Sequence, residues 1–93
     1  MPAIIAGAGQ GAKKRFLEFF TVNIRNPNTQ AAYHQAAVEF LKWCEARKMG
    51  RLDEVQPVHV AAYIEQLGRR LSAPSIKQHL ACIRMLFDWL LVG

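Results

Sequence analysis

Apolar residues recur at spacings of three and four from Lys13 to the end of the chain, and this spacing is typical of amphipathic α-helices. The pattern forms four stripes separated by short breaks. In chain order, the stripes contain Phe16, Phe19 and Phe20; Tyr33, Ala37, Phe40, Leu41 and Cys44; Val60, Ile64, Leu67 and Leu71; and Ile76, Leu80, Ile83, Phe87 and Leu90. No segment alternates with the period of two expected of strands, so the pattern predicts an all-α fold, a compact bundle of four main helices.

Helix-breaking residues predict where these helices begin and end. The Asn-Pro-Asn sequence at 26–28 separates the first two helices, and Pro27 or Asn28 opens the second, with Thr29 as a further capping hydroxyl. Gly50 follows the last periodic residues of the second helix and is expected just past its end. The third and fourth helices are expected to begin at Pro57 and within residues 72–75.

The first twelve residues carry no helical period and are rich in alanine and glycine. We therefore expect residues 1–12 to be a mobile arm in front of one domain at residues 13–93. This segment lacks the basic residues before a long apolar stretch that a signal peptide requires. No apolar run is long enough for a membrane span.

Length and composition indicate one globular domain. The chain has 93 residues, which is enough for one core and too few for two, and 52% of them are hydrophobic, which excludes an intrinsically disordered chain. The two cysteines are too few for a disulfide scaffold, and we expect both as buried, reduced thiols. A cytoplasmic protein is therefore expected.

The charge of the chain indicates a class of partner. The chain carries +5 at neutral pH, and the excess of basic residues is not spread uniformly along it. Residues 1–31 and residues 66–93 each contain four basic side chains and one acidic side chain, whereas the middle is slightly acidic. Basic residues gathered in this way are the electrostatic signature of a protein that binds a polyanion.

The sequence offers no catalytic or metal-binding motif. It contains neither a phosphate-binding P-loop nor a His-Glu-x-x-His motif. His34, His59 and His79 lie on three different predicted helices, so no set of convergent metal ligands is expected. We predict no catalytic residues, no metal and no cofactor for this chain.

Four segments, in this order, carry a resemblance to a known family. An Asn-Thr helix start at 28–29 leads to Tyr33 and a Phe-Leu-Lys-Trp-Cys run at 40–44. A short helix opened by proline then ends in Ala-Tyr-Ile-Glu-Gln-Leu at 62–67, and a long helix follows over residues 71–90. The chain resembles the N-terminal core-binding (SAM-like) domain of tyrosine recombinases of the phage integrase family, over Lys13 to about Val92.

The resemblance implies a helical bundle that forms one half of a clamp on duplex DNA. It also implies partners, namely double-stranded DNA and other recombinase protomers in the full-length assembly. The catalytic half of such recombinases lies C-terminal to this domain, so we expect the chain to be a fragment without recombinase chemistry of its own.

Family members present the first turns of their second and fourth helices to the major groove. Carried over to matching positions, this implies DNA contacts from Asn28, Thr29, Ala32, Tyr33, Ser72, Ser75, Lys77 and Gln78, with Arg69 and Arg70 following the backbone from the preceding loop. The chemistry agrees, since amide groups at a helix start suit phosphates and glutamine pairs with adenine. Pro74 departs from the pattern, because Cre-like relatives have a polar or basic residue there.

Other interpretations of these residues stay open. Asn28, Thr29, Ser72 and Ser75 also suit helix caps, Tyr33 suits the core, and Lys77, Gln78, Arg69 and Arg70 suit a merely solvated surface. For the whole chain, the alternative is a helical protein-interaction module that grips a partner helix through Trp89, Leu91 and Val92. A free-standing helix-turn-helix regulator fits less well, because a tight helix pair with its recognition turn is missing.

Overall fold

The computed structural model describes the backbone of residues 1–92 and the side chains of residues 1–90. Five α-helices follow one another: α1 (Ala3–Ala6), α2 (Gln10–Glu18), α3 (Pro27–Ala46), α4 (Pro57–Leu67) and α5 (Ala73–Val92). A π-helical turn (Phe19–Asn23) extends α2, and a 3-10 turn (Leu52–Glu54) precedes α4. The described residues contain no strand, so the predicted all-α fold is confirmed, with α2 to α5 as its four main helices.

The core lies where α2, the π-helical turn and α5 pack on α3. Aromatic rings fill its centre: Phe16 and Phe19 each meet Phe20 edge-to-face, at centroid distances of 5.1 and 4.9 Å. Such edge-to-face pairs add stabilisation beyond the area they bury. The predicted stripes supply most of the buried side chains, which include Phe16, Phe19, Phe20, Ala37, Phe40, Leu41, Cys44, Leu67, Cys82, Ile83 and Leu86.

The N-terminal residues differ from the predicted arm. Ile4 and Ile5 are 1% and 0% exposed and belong to the same core, and the amide of Ile4 donates to Glu45 Oε1 at 2.9 Å. The sequence showed no period here because α1 has only one turn, which is too short for a repeat to appear. The prediction of an arm over residues 1–12 is corrected, because hydrophobic burial holds this turn on the bundle.

Helix α3 begins at Pro27, as predicted, but the residues that cap its two ends are not the expected ones. Asn26 is its N-cap, since the Asn26 Oδ1 atom accepts hydrogen bonds from the amides of Asn28 at 2.9 Å and Thr29 at 3.2 Å. At the other end Lys48, with φ of 64°, takes the left-handed conformation expected of Gly50. The amide of Met49 bonds to the carbonyl of Cys44, so the helix closes in a Schellman motif with lysine at its left-handed position.

Candidate nucleic-acid interface

Helices α3 and α5 touch at two points that occur in the same order along both helices. The Cys82 thiol donates to the carbonyl of Tyr33 at 3.1 Å, and the rings of Phe40 and Phe87 meet further along, with centroids 6.2 Å apart. These contacts show that α3 and α5 pack directly against each other, at Tyr33 and Phe40 on α3 and at Cys82 and Phe87 on α5.

Helical periodicity decides which predicted residues share a helix side with these contacts. Thr29 lies one turn before Tyr33 on the same side of α3, and Gln78 and Ser75 lie one and two turns before Cys82 on α5. Gln78 is exposed, whereas Thr29, Tyr33 and Ser75 are half-buried. We call these four residues, Thr29, Tyr33, Ser75 and Gln78, the crossing face.

Four other predicted residues lie outside the crossing face. Asn28 and Lys77 are both exposed, but each is turned about 140° around its helix from Tyr33 or Cys82, at 100° per residue. Arg69 and Ser72 are exposed in the connection between α4 and α5. The predicted set is therefore a central cluster with outlying residues rather than one continuous patch.

The structure also shows which residues cap α3 and α5, the alternative role considered for several predicted DNA contacts. Asn28 and Thr29 are second and third in α3, and their amides are the groups that Asn26 caps. Ser72 directly precedes α5, its carbonyl accepts the amide of Ile76 at 3.1 Å, and its hydroxyl lies 3.3 Å from that of Ser75. Ser72 thus occupies the N-cap position of α5, while capping of α3 falls to Asn26, a residue that sequence analysis assigned only to the break.

The last two predicted residues, Ala32 and Arg70, are related through Glu39, a residue that was not among the predicted contacts. Ala32 and Glu39 are two turns apart on one side of α3, and Glu39 Oε2 lies 3.9 Å from a terminal nitrogen of Arg70. Glu39 lies off the apolar stripe, so the pattern indicated only a solvated carboxylate. No sequence signal links it to Arg70, because the two residues are brought together by the packing of α3 against α4.

A buried polar pair lies next to this ion pair. Tyr63 is 4% exposed and its ring meets that of His79 with centroids 6.5 Å apart. The Tyr63 hydroxyl and the Nδ1 atom of His79 have no hydrogen-bond partner among the described residues. Burial raises the pKa of Tyr63 to about 12, with Glu39 raising it further and Arg70 opposing the change.

The two cysteines are both free, buried thiols, as expected. Burial raises the pKa of Cys44 to about 11 and that of Cys82 to about 12, against an ordinary value of 9.0. Because the thiolate is the reactive form, such thiols are inert at neutral pH. They act as small core residues.

A second feature is an apolar groove of about 590 Å³ between α4 and α5. Val60, Ile64, Leu80 and Phe87 form its apolar walls, and Arg84 and Asp88 are exposed along it. Of the residues predicted for a partner-binding surface, Leu91 and Val92 have side chains outside the described residues. Trp89 is not free for a partner, because its indole nitrogen donates to the carbonyl of Arg15 at 2.7 Å and the Arg15 guanidinium lies 4.2 Å above its ring.

The part of the chain that the structure describes contains neither a cluster of metal ligands nor a helix suited to a membrane span. Residues 1–90 contain no group of three or more His, Cys, Asp or Glu side chains placed to hold a metal ion. None of the described helices combines the length and the hydropathy that a membrane span needs.

Comparison with known proteins supports one family. The family model described as "Phage integrase, N-terminal SAM-like domain" matches residues 13–92. Neither the curated proteins nor the solved structures contain a match. The family match covers most of the chain, including α3, α5 and the crossing face between them. The chain therefore belongs to the phage integrase N-terminal SAM-like domain family.

Proposed function

We propose that this domain binds duplex DNA and clamps one recombination half-site with the first turns of α3 and α5. The observation that supports the proposal is the packing of α3 on α5, because the residues of the crossing face lie on the sides of the two helices that contact each other. An α-helix start fits the major groove and offers amide groups to phosphates. Membership of an integrase domain family makes a recombination site the natural target.

Within this proposal the predicted residues have two roles. Gln78 and Thr29, on the crossing face, contact base edges, and Ala32 and Tyr33 supply apolar contacts to the groove. Ser75 on the crossing face and the residues outside it contact phosphates and fix the position of the domain on the duplex; the residues outside are Asn28, Arg69, Arg70, Ser72 and Lys77. The net charge of +5 supplies the long-range attraction.

In the parent protein, we assign strand exchange to a separate tyrosine recombinase catalytic domain. The domain described by this structure then contributes DNA affinity and contacts to neighbouring protomers in the recombination assembly. A cytoplasmic location is part of the same proposal, because the substrate is chromosomal or phage DNA.

The decisive experiment is fluorescence anisotropy of the 93-residue chain with a labelled random-sequence duplex at several salt concentrations. We expect log K to fall linearly with log salt, at about 0.9 per phosphate contacted. Lys77→Ala should make this slope shallower by about one. Lys42→Ala is the matched control, because Lys42 is an exposed lysine on α3 away from the crossing face, and it should leave the slope unchanged.

Base contact by Gln78 has its own test, after a preferred duplex has been selected from a random pool. Gln78→Ala should cost about 1 to 3 kcal/mol on the selected duplex and nothing on random DNA. Equal losses on both duplexes would remove Gln78 from base recognition. Absence of binding at low salt, by protein with a helical circular dichroism spectrum, would refute the DNA proposal.

The second candidate function is protein interaction, and the groove between α4 and α5 is the observation that favours it. Its apolar walls offer the kind of surface into which the apolar face of a partner helix packs. Folded protein that fails to bind DNA, together with concentration-dependent NMR shifts confined to Val60, Ile64, Leu80 and Phe87, would favour this function.

A further inference from the structure

Arg70 has an acidic neighbour, whereas the arginine next to it has none. One terminal nitrogen of Arg70 lies 3.9 Å from Glu39 Oε2, and the two side chains are 62% and 36% exposed. Arg69 is exposed as well, and no ion pair is recorded for it among the described residues. Two adjacent arginines in the connection between α4 and α5 thus differ, because only Arg70 has a carboxylate near its guanidinium group.

A carboxylate and a phosphate oxygen present the same kind of anionic acceptor to a guanidinium group. Resting on the proposed DNA binding, we propose that Glu39 is an internal competitor for Arg70. In the free protein the carboxylate of Glu39 holds the guanidinium, and a backbone phosphate of bound duplex takes its place. Glu39 then lowers affinity for a polyanion that places a phosphate at Arg70, because the Arg70–Glu39 contact must first be broken.

The contact is weak enough to be exchanged. A separation of 3.9 Å between exposed groups is looser than the 2.7–2.9 Å of a strong charge-assisted hydrogen bond. Exposed ion pairs of this kind contribute little, because water screens them. A phosphate therefore needs only a slightly more favourable interaction with Arg70 to replace the carboxylate of Glu39.

Glu39 is not left without partners when Arg70 moves. The side-chain amide of Gln35 lies 3.4 Å from the other carboxylate oxygen of Glu39. The hydroxyl of Tyr63, which has no partner among the described residues, is close enough for the charge of Glu39 to raise its pKa. Gln35 is a donor that continues to stabilise the carboxylate once the guanidinium has left.

The test is a double-mutant cycle read by anisotropy with a random-sequence duplex, at about 50 and about 200 mM salt. Glu39→Gln should tighten binding between about 1.4-fold and fivefold, the range that corresponds to the strength of an exposed ion pair. In the Arg70→Gln background the same substitution should have no effect beyond that of the change in net charge. Glu65→Gln, which removes an exposed carboxylate of α4 with no ion pair recorded among the described residues, measures the general effect of net charge.

The outcomes separate this inference from the proposed function. Tightening that disappears in the Arg70→Gln background and exceeds that of Glu65→Gln supports competition. An equal gain in both backgrounds, or none at all in protein that binds DNA, overturns it. A wild-type chain that does not bind DNA overturns the proposed function and this inference with it.

An NMR measurement gives a second readout that does not depend on folding of the variants. In wild-type protein the Arg70 side-chain Nε–H resonance should shift on addition of duplex, as one ion-pair partner replaces another. An Arg70 resonance that is unchanged while Lys77 and Gln78 respond to DNA would also overturn the competition.

Discussion

The two sides of the bundle differ in how completely their apolar residues are covered. On the side formed by α1, α2 and the start of α3, Ile5, Phe16 and Phe19 are each no more than 1% exposed. On the side formed by α4 and α5, Tyr63 and Leu67 are the buried residues of α4, and the groove remains open next to them. Stability is therefore concentrated on the first side, which leaves the second side free to contact other molecules.

The largest expected effect tests that difference directly. Phe19→Ala should lower the free energy of unfolding by about 3 to 5 kcal/mol, since it leaves a cavity in a close-packed aromatic cluster. Val60→Ala, on the groove wall, should cost less than about 1 kcal/mol, because no enclosed cavity forms. Urea unfolding followed by circular dichroism measures both, and equal losses would mean that the two sides are equally important for stability.

The N-terminal turn provides the next test. Ile5→Ala should cost about 2 to 5 kcal/mol if α1 is part of the core. Met1→Ala is the control, because Met1 is 58% exposed and its loss should have little effect. If wild type and Ile5→Ala have the same thermal unfolding midpoint, then the N-terminal segment is a mobile arm, as the sequence predicted.

The buried thiols predict a dependence of stability on pH at the alkaline end. Their pKa is raised in the folded state, so folding favours the neutral thiol and its contribution is fully present below pH 9. Stability should fall as pH rises from 9.0 towards the folded pKa of Cys44 at about 11. Unfolding midpoints determined at several pH values in this range measure the fall in stability.

The control is the Cys44→Ala/Cys82→Ala variant, which should show a flatter pH profile. Tyr63, whose pKa is raised from 10.0 to about 12, adds its own fall only above pH 10 in both proteins. Identical profiles between pH 9 and 10 would show that the thiols do not contribute.

The smallest expected effect concerns the end of α3. Lys48→Gly should stabilise the protein by about 0.5 to 1 kcal/mol, since glycine adopts a positive φ without the steric cost that lysine bears. Gly50→Ala should cost nothing, because the added Cβ meets open space and Gly50 has no positive φ. If Gly50→Ala lowers the free energy of unfolding in chemical denaturation, then Gly50 rather than Lys48 is the residue that closes α3.

More of the fold than of the candidate interface could be predicted from the sequence. The stripe containing Phe40, Leu41 and Cys44 repeats over several turns, and burial of such a stripe is almost independent of what it packs against. Trp89 also lies beside its predicted stripe, but its partner Arg15 is 74 residues away, and no local pattern encodes that pair. The Arg70–Glu39 pair went unpredicted for the same reason.

The sequence by itself determined the helices, their order and the family, because hydrophobic periodicity and breaking residues act locally along the chain. Only the tertiary structure decided that α1 belongs to the core, that Lys48 rather than Gly50 closes α3, and that α5 packs on α3 with Cys82 against Tyr33. Each of these depends on contacts between residues distant in sequence or on a backbone conformation selected by packing. The arrangement of the crossing face is of this kind, since its four residues come from two helices that meet only when the core closes.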